Sequence, residues 1–195
     1  MKYNLSEITE VIRNRRTIVP EKFSARKVHK EQIELLLNNA IWAPTHGNTQ
    51  PWRFKVFMGT GLEKISEFLP ELYKTLSSPE AFNPAKYNKM KQRPLLASAV
   101  IAVCMERDQS GKIAEIEEIE AVACAIQNMQ LTATAYGIGT FWATPKPIYT
   151  QEMNTFLGLS PQDKCLGLLY IGYTDEEWPK SHRKPIEYLT EWIGE

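Results

Sequence analysis

The residues best suited to chemistry in this chain form three polar clusters, each at a junction between stretches of regular apolar pattern. Arg13, Arg15, Arg16 and Thr17 close the first such stretch. A guanidinium is a planar fork of donors that matches two phosphate oxygens, and a neighbouring hydroxyl adds another donor. The same cations would also suit the C-terminus of a helix, where the backbone dipole is negative, so this cluster alone leaves both uses open. Residues 43–54 (APTHGNTQPWRF) pack Thr45, His46, Asn48, Thr49 and Gln50 into six positions, closed by Pro51 and Trp52. Amide and hydroxyl groups at that density, backed by an indole, suit a planar heterocycle edged with carbonyls and ring nitrogens. A plain turn rarely needs so many. Residues 179–185 (PKSHRKP) read as a solvated basic tail, or as the second half of a phosphate site if the fold brings them to the first cluster. A mononucleotide cofactor would require such a meeting.

Other chemistries are poorly supported. There is no G-x-x-x-x-G-K-[ST] loop, no G-x-G-x-x-G and no G-x-S-x-G elbow. Gly137 and Gly139 make a bare G-x-G that helix capping explains. His29, His46 and His182 stand apart, without H-x-x-x-H or C-x-x-C spacing, which argues against zinc. Cys104, Cys124 and Cys165 are odd in number, widely spaced and set among apolar residues, the pattern of reduced core thiols. The acidic run at 115–120 reads as a solvated helix face.

A length of 195 residues with 43% hydrophobic and 24% charged content suits one ordinary globular domain spanning 1–195. Lys plus Arg and Asp plus Glu are both 23. That balance lacks the basic excess by which phosphate neutralisation drives nucleic-acid binding, and near-zero net charge favours self-association. No run resembles a signal peptide or reaches the roughly 20 apolar residues of a membrane helix, so a cytoplasmic location is expected.

Leu5, Ile8, Val11 and Ile12 recur at helical spacing and deliver the first cluster. A second helix over 32–42 has Ile33, Leu36, Leu37, Ala40 and Ile41 on its apolar face and stops at Pro44. Residues 52–58 alternate as a strand. Residues 62–93 are helical but interrupted by Pro70, Pro79 and Pro84, with Pro94 just beyond. Their centre (NPAKYNKMKQR) has no clear core face, as expected of a variable lid. Residues 97–105 form an apolar strand. A long helix over 113–136, with an Ile116, Ile119, Ala123, Ile126 and Ala133 stripe, ends at Gly137 and belongs at the core or a dimer centre. Strands follow at 139–144 and 165–173. Strands apolar on both faces must be covered on both sides, so the class is α+β, with a sheet sandwiched between helices.

R-R-T after the first helix, A-P-x-x-x-N-x-Q-P-W after the second, G-x-G-T before a strand, L-G-L then G-Y, and R-K-P in the tail occur in order. Together they resemble the nitroreductase superfamily, from about Ile12 to Leu189, with 62–93 unmatched. The resemblance implies a mixed, mainly antiparallel sheet, and an intertwined homodimer with two FMN sites built from both subunits. Arg15, Arg16 and Thr17 would hold the FMN phosphate and the near ring edge. Pro44, Thr45, His46 and Asn48 would come from the other subunit, braced by Gln50 and Trp52. Thr140, Phe141, Trp142, Ala143 and Thr144 would run past the flavin with a backbone N–H near N5, and Arg183 with Lys180 or Lys184 would close on the phosphate. NADH or NADPH would be the co-substrate. The expected activity is ping-pong hydride transfer to a nitroaromatic, quinone or similar conjugated acceptor, with Trp142, Phe82 and Tyr87 as candidate stacking partners. Dehalogenating and flavin-fragmenting relatives, or a non-catalytic FMN module, are the alternatives. Many relatives carry Lys or Arg where this chain has Val19, so Arg16, Lys91 or Arg93 would have to offset charge near flavin N1. The glutamate that some relatives carry in the 141–144 loop is absent as well.

Overall fold

The computed structural model describes residues 3–194. Its organisation follows from strands β2 (Ala99–Met105) and β4 (Lys164–Gly172), which are antiparallel neighbours. Every residue of β2 is buried. Because successive side chains of a strand point to opposite faces, each strand feeds two apolar layers. Ala99, Ile101, Val103 and Met105, with Leu169 and Ile171, meet helices α2 (Lys30–Ala40) and α5 (Glu115–Ala135). Val100, Ala102 and Cys104, with Cys165, Leu168 and Tyr170, meet α3 (Thr60–Thr75) and α6 (Gln151–Leu157). The helices α1 (Leu5–Asn14) and α4 (Pro84–Leu96) lie at the margins of these layers, α1 with no buried residue and α4 with Pro94 buried and Met90 packed against the second layer. With β1 (Trp52–Phe57) and β3 (Gly139–Ala143), the sheet order is β1-β2-β4-β3. Every strand pairing is antiparallel. The one parallel contact among the described residues is the isolated bridge Thr17↔Thr140, where the Ile18 N–H donates to the Thr140 carbonyl at 2.9 Å.

The pairing of β2 with β4 steps from Val103↔Gly167 to Cys104↔Cys165, which leaves Leu166 as the extra residue of a bulge. Its carbonyl accepts a hydrogen bond from Trp142 Nε1 at 3.2 Å. Only glycine fits beneath that indole, since a Cβ on Gly167 would lie 1.9 Å from Trp142 Nε1. Cys104 and Cys165 face each other beside the bulge. Their mutual hydrogen bond and burial hold the Cys104 thiol protonated.

Four expectations are corrected. Cys124 is exposed on the outer side of α5, not in the core. The buried stripe of α5 runs through Glu118, Ala121, Val122, Ala125, Ile126, Met129, Gln130 and Ala133, while Ile116 is exposed. Of the expected stripe, Ile126 and Ala133 are buried and Ile119 packs against the core, whereas Ala123 is half-buried. Pro70 sits inside α3 and Pro94 inside α4, so neither ends its helix where a break was expected. Helix α6 and the 3-10 turn at 146–149 were not foreseen, being short and flanked by Pro145 and Pro147.

Gly172 faces the ring of Phe23, and a Cβ there would lie 2.6 Å from Phe23 Cγ. Gly172→Ala should therefore lower stability by about 1–3 kcal/mol through overpacking, read as a reduced urea midpoint with unchanged m-value.

Candidate functional site

The chain leaves α1 at Arg15, whose extended backbone carries it toward the bridge with β3. There the two ends of the sequence meet. Arg16 Nε donates to the Pro179 carbonyl at 2.6 Å, and its Nη1 donates to the carbonyls of Arg13 and Arg15. Arg13, Arg16, Ser181, His182 and Arg183 line a cavity of about 440 Å³ between α1 and the tail. Burial and the nearby charges of Arg183 and Arg16 push the Arg15 pKa down. This is a set of like charges held together with no carboxylate among them, and an anion would relieve it. Arg16 spends much of its fork on backbone carbonyls, so it fastens the tail, while Arg15 is the less committed guanidinium. Lys184 lies outside the cavity lining.

A second cavity, of about 380 Å³, lies between α4 and the end of β3. Phe141, Trp142, Ala143 and Thr144 border it on the strand side; Lys86, Lys89, Met90 and Arg93 border it on the helix side. Arg93 Nε holds Glu21 Oε1 at 2.9 Å, and the Arg93 guanidinium stacks 4.9 Å from the Phe141 ring centre. Burial pushes the pKa of Tyr170, on the cavity floor, upward. Since β3 is an edge strand, its outward N–H groups past the Thr17 bridge have no strand partner among the described residues.

The 44–50 loop forms a third element. Gly47, Asn48 and Gln50 all have left-handed φ, at 56°, 54° and 48°. For Asn and Gln this conformation costs energy and must be imposed by surrounding bonds. Gln50 N–H donates to Thr45 Oγ1 at 3.2 Å, Gln50 Nε2 to Asn48 Oδ1 at 3.1 Å, and Arg53 Nη1 to the Gln50 carbonyl at 3.0 Å. His46 Nδ1 meets Glu117 Oε1 at 2.9 Å, which holds that carboxyl below its ordinary range. One residue on, the fully buried Glu118 pairs with Arg107 and accepts the Asp108 N–H at 2.8 Å. The loop is thereby fixed to the start of α5, with Pro44, His46 and Asn48 exposed.

The first and third predicted clusters thus meet, and Thr140–Thr144 reach a cavity. The loop does not join them within one chain. It feeds β1 at one edge of the sheet, whereas the arginines and the cavity flank β3 at the other. Three strand spacings of roughly 4.8 Å separate those edges, or about 14 Å. Phe82 and Tyr87 are not on the cavity: Phe82 stacks on Tyr73 and Tyr87 bonds to Glu71. Val19 is followed by Pro20, Glu21 and Lys22; Glu21 pairs with Arg93, and Lys22 turns away to Glu176. Lys86, Lys89 and Tyr170 were missed. The i, i+3, i+7 spacing of Lys86, Lys89 and Arg93 was the available signal, obscured because it marks a polar stripe on a helix with no core face.

Residues 12–173 match the model of the nitroreductase family. A candidate NAD(P)H nitroreductase of Bacillus subtilis is 30% identical over 93% of this chain and 91% of its own length. A nitroreductase-like family protein from Bacillus cereus superposes with a TM-score of 0.82 at 29% identity, covering 100% of this chain and 99% of that one. A nitroreductase-like protein of Desulfovibrio desulfuricans, solved in complex with FMN, shares the fold at a TM-score of 0.70 and 23% identity, over 97% of this chain and 96% of that one.

If the arginine cluster takes an anion, inorganic phosphate should raise the melting temperature, because it binds the folded state alone. A rise of about 3 °C at a tenfold excess over Kd is expected, and Arg15→Ala should shrink it by more than half in thermal-shift titrations.

Proposed function

Because the chain belongs to the nitroreductase family, we propose that it is an FMN-dependent oxidoreductase passing hydride equivalents from NADH or NADPH to a nitroaromatic, quinone or similar conjugated acceptor. The observation that carries this reading is the meeting of Arg15, Arg16 and Arg183 from opposite ends of the sequence. Their unbalanced positive charge fits a phosphomonoester, and the edge of β3 beside them offers backbone donors to a planar ring. Arg15 and Arg183 would hold the phosphate, with Lys180 or Lys184 closing over it, while Arg16 locks the tail in place and Thr17 adds a hydroxyl. Thr140 to Thr144 would border the ring, a backbone N–H of this segment orienting it. Arg93 is the cation best placed to stand in for the residue replaced by Val19.

A second copy of the chain completes the site. Pro44, Thr45, His46 and Asn48 lie at the wrong sheet edge to share a ligand with Thr140 in one chain, yet their loop is built under strain to present polar groups outward. Exposed apolar residues favour the same homodimer: Leu5, Ile8 and Ile12 on α1, Trp42 beside the loop, and Ile186, Leu189, Trp192 and Ile193 in the tail. Apolar side chains of this size gain by being covered from water.

The chemistry that bound FMN supplies is two-electron exchange between a reduced nicotinamide and an oxidised acceptor. The protein's own residues bind, orient and exclude water, and none need act as a nucleophile. The α3–α4 segment, as a lid over residues 62–93, walls one side of the acceptor cavity. Donor and acceptor would enter in turn against the same side of the ring, a ping-pong order.

Absorption spectra of the purified protein, recorded before and after anaerobic NADH and NADPH, test the reading. Flavin bands that bleach are expected; protein that stays colourless after incubation with FMN would refute it. Arg15→Ala should weaken FMN retention at least about tenfold, the worth of one charge-assisted phosphate contact, measured by FMN fluorescence on equilibrium dialysis.

A further inference from the structure

We propose that the cavity between α4 and β3 selects acceptors in which a flat conjugated ring carries a carboxylate or sulfonate. Lys86, Lys89 and Arg93 occupy one face of α4 at i, i+3 and i+7, and all three border the cavity. Against them stand Glu21, which is bound to Arg93, and no carboxylate in the lining. Lys86 and Lys89 have no ion-pair partner among the described residues. The cavity therefore holds a surplus of positive charge over its one neighbouring anion.

The opposite wall is apolar and aromatic. Phe141 and Trp142 supply flat surface for a ring, and Met90, on the helix side, adapts to its edge. Tyr170 adds directionality. It is 2% exposed, it reaches the cavity, and its hydroxyl has no hydrogen-bond partner among the described residues. This hydroxyl opens onto the cavity, and an anionic oxygen beside the lysines would accept its hydrogen bond. A neutral acceptor satisfies the ring wall but leaves both the cations and this donor unanswered. A low-dielectric wall focuses the field of exposed lysines into the cavity, so their charge acts there more strongly than at open surface. The ring wall and the cation stripe lie on opposite sides of one space, so a single substituted ring meets both.

This assignment rests on the reading that β3 borders the flavin, and its test is chosen to survive that reading's failure. Binding of 4-nitrobenzoate and of methyl 4-nitrobenzoate to the protein as isolated would be compared by titration calorimetry. About tenfold tighter binding of the anion is expected at low ionic strength, falling toward parity at about 0.5 M salt as the charges are screened. In Lys86→Gln/Lys89→Gln the ratio of the two affinities should fall close to one. FMN retention, measured separately by dialysis, should be unchanged. In turnover, the kcat/KM ratio of the two acceptors should follow the affinity ratio. Equal binding of acid and ester by the unmodified protein would overturn the proposal, as would a preference that survives the double variant. A parallel rise in KM for NADH or NADPH with both acceptors would also overturn it, by assigning the lysines to the nicotinamide's pyrophosphate. Protein that holds no FMN yet keeps the anion preference would sink the flavin reading and leave the cavity assignment standing.

Discussion

Burial of β2 and β4 on both faces is the constraint from which the rest of the structure follows. Val, Ile, Leu and Ala along both strands leave no side of the sheet's centre that water can wet. Helices must therefore cover it twice, α2 and α5 on one face and α3 with α6 on the other. A centre packed in this way has no room for a ligand. Polar groups are displaced to the rims, and the rims are where the arginines, the left-handed loop and the cavity lie. Sheet order then decides which of these can cooperate within one chain: the arginines adjoin β3, and the loop is carried to the far edge by β1.

Each rim group is held by bonds that reach back to this framework. The loop at 44–50 keeps two non-glycine residues at positive φ because its own side chains, Arg53 and the start of α5 over-determine it. The pairing of Arg107 with the buried Glu118 fixes the start of α5 against the end of β2. Such a pair is costly to bury, and its use here is geometric: it sets where Glu117 stands, and so where His46 is held. At the other edge, the Leu166 bulge frees a carbonyl for Trp142, which orients the indole along the cavity wall.

Much of this was legible in the sequence because the signals were periodic or compositional. The two apolar runs and the Gly137 cap gave the central strands and the long helix within one or two residues. The arginine and tail clusters gave a meeting point that Arg16 and Pro179 bear out. What could not be read depends on contacts between distant elements. The apolar stripe of α5 is buried at Ile126 and Ala133 but not along its whole length. Ile116 looked central and is exposed. Phe82 and Tyr87 looked available, but α3 takes them through Tyr73 and Glu71. Tyr170 read as one apolar letter in a strand, and only the position of α4 turns its hydroxyl into a feature of the cavity.

The position of α4 at the margin of the two apolar layers has a further consequence. The helix leans on α3 and contributes a single buried residue, Pro94. Apart from Met90, which packs against the core, its cavity-facing positions meet water and ligand rather than the packed centre, where a single methylene change is felt. Over evolutionary time, a lineage can exchange the charges along this stripe without drawing on the stability that keeps the chain folded. Divergence of chemistry within such a fold would then be expected to accumulate on α4 first, while β2 and β4 stay almost fixed.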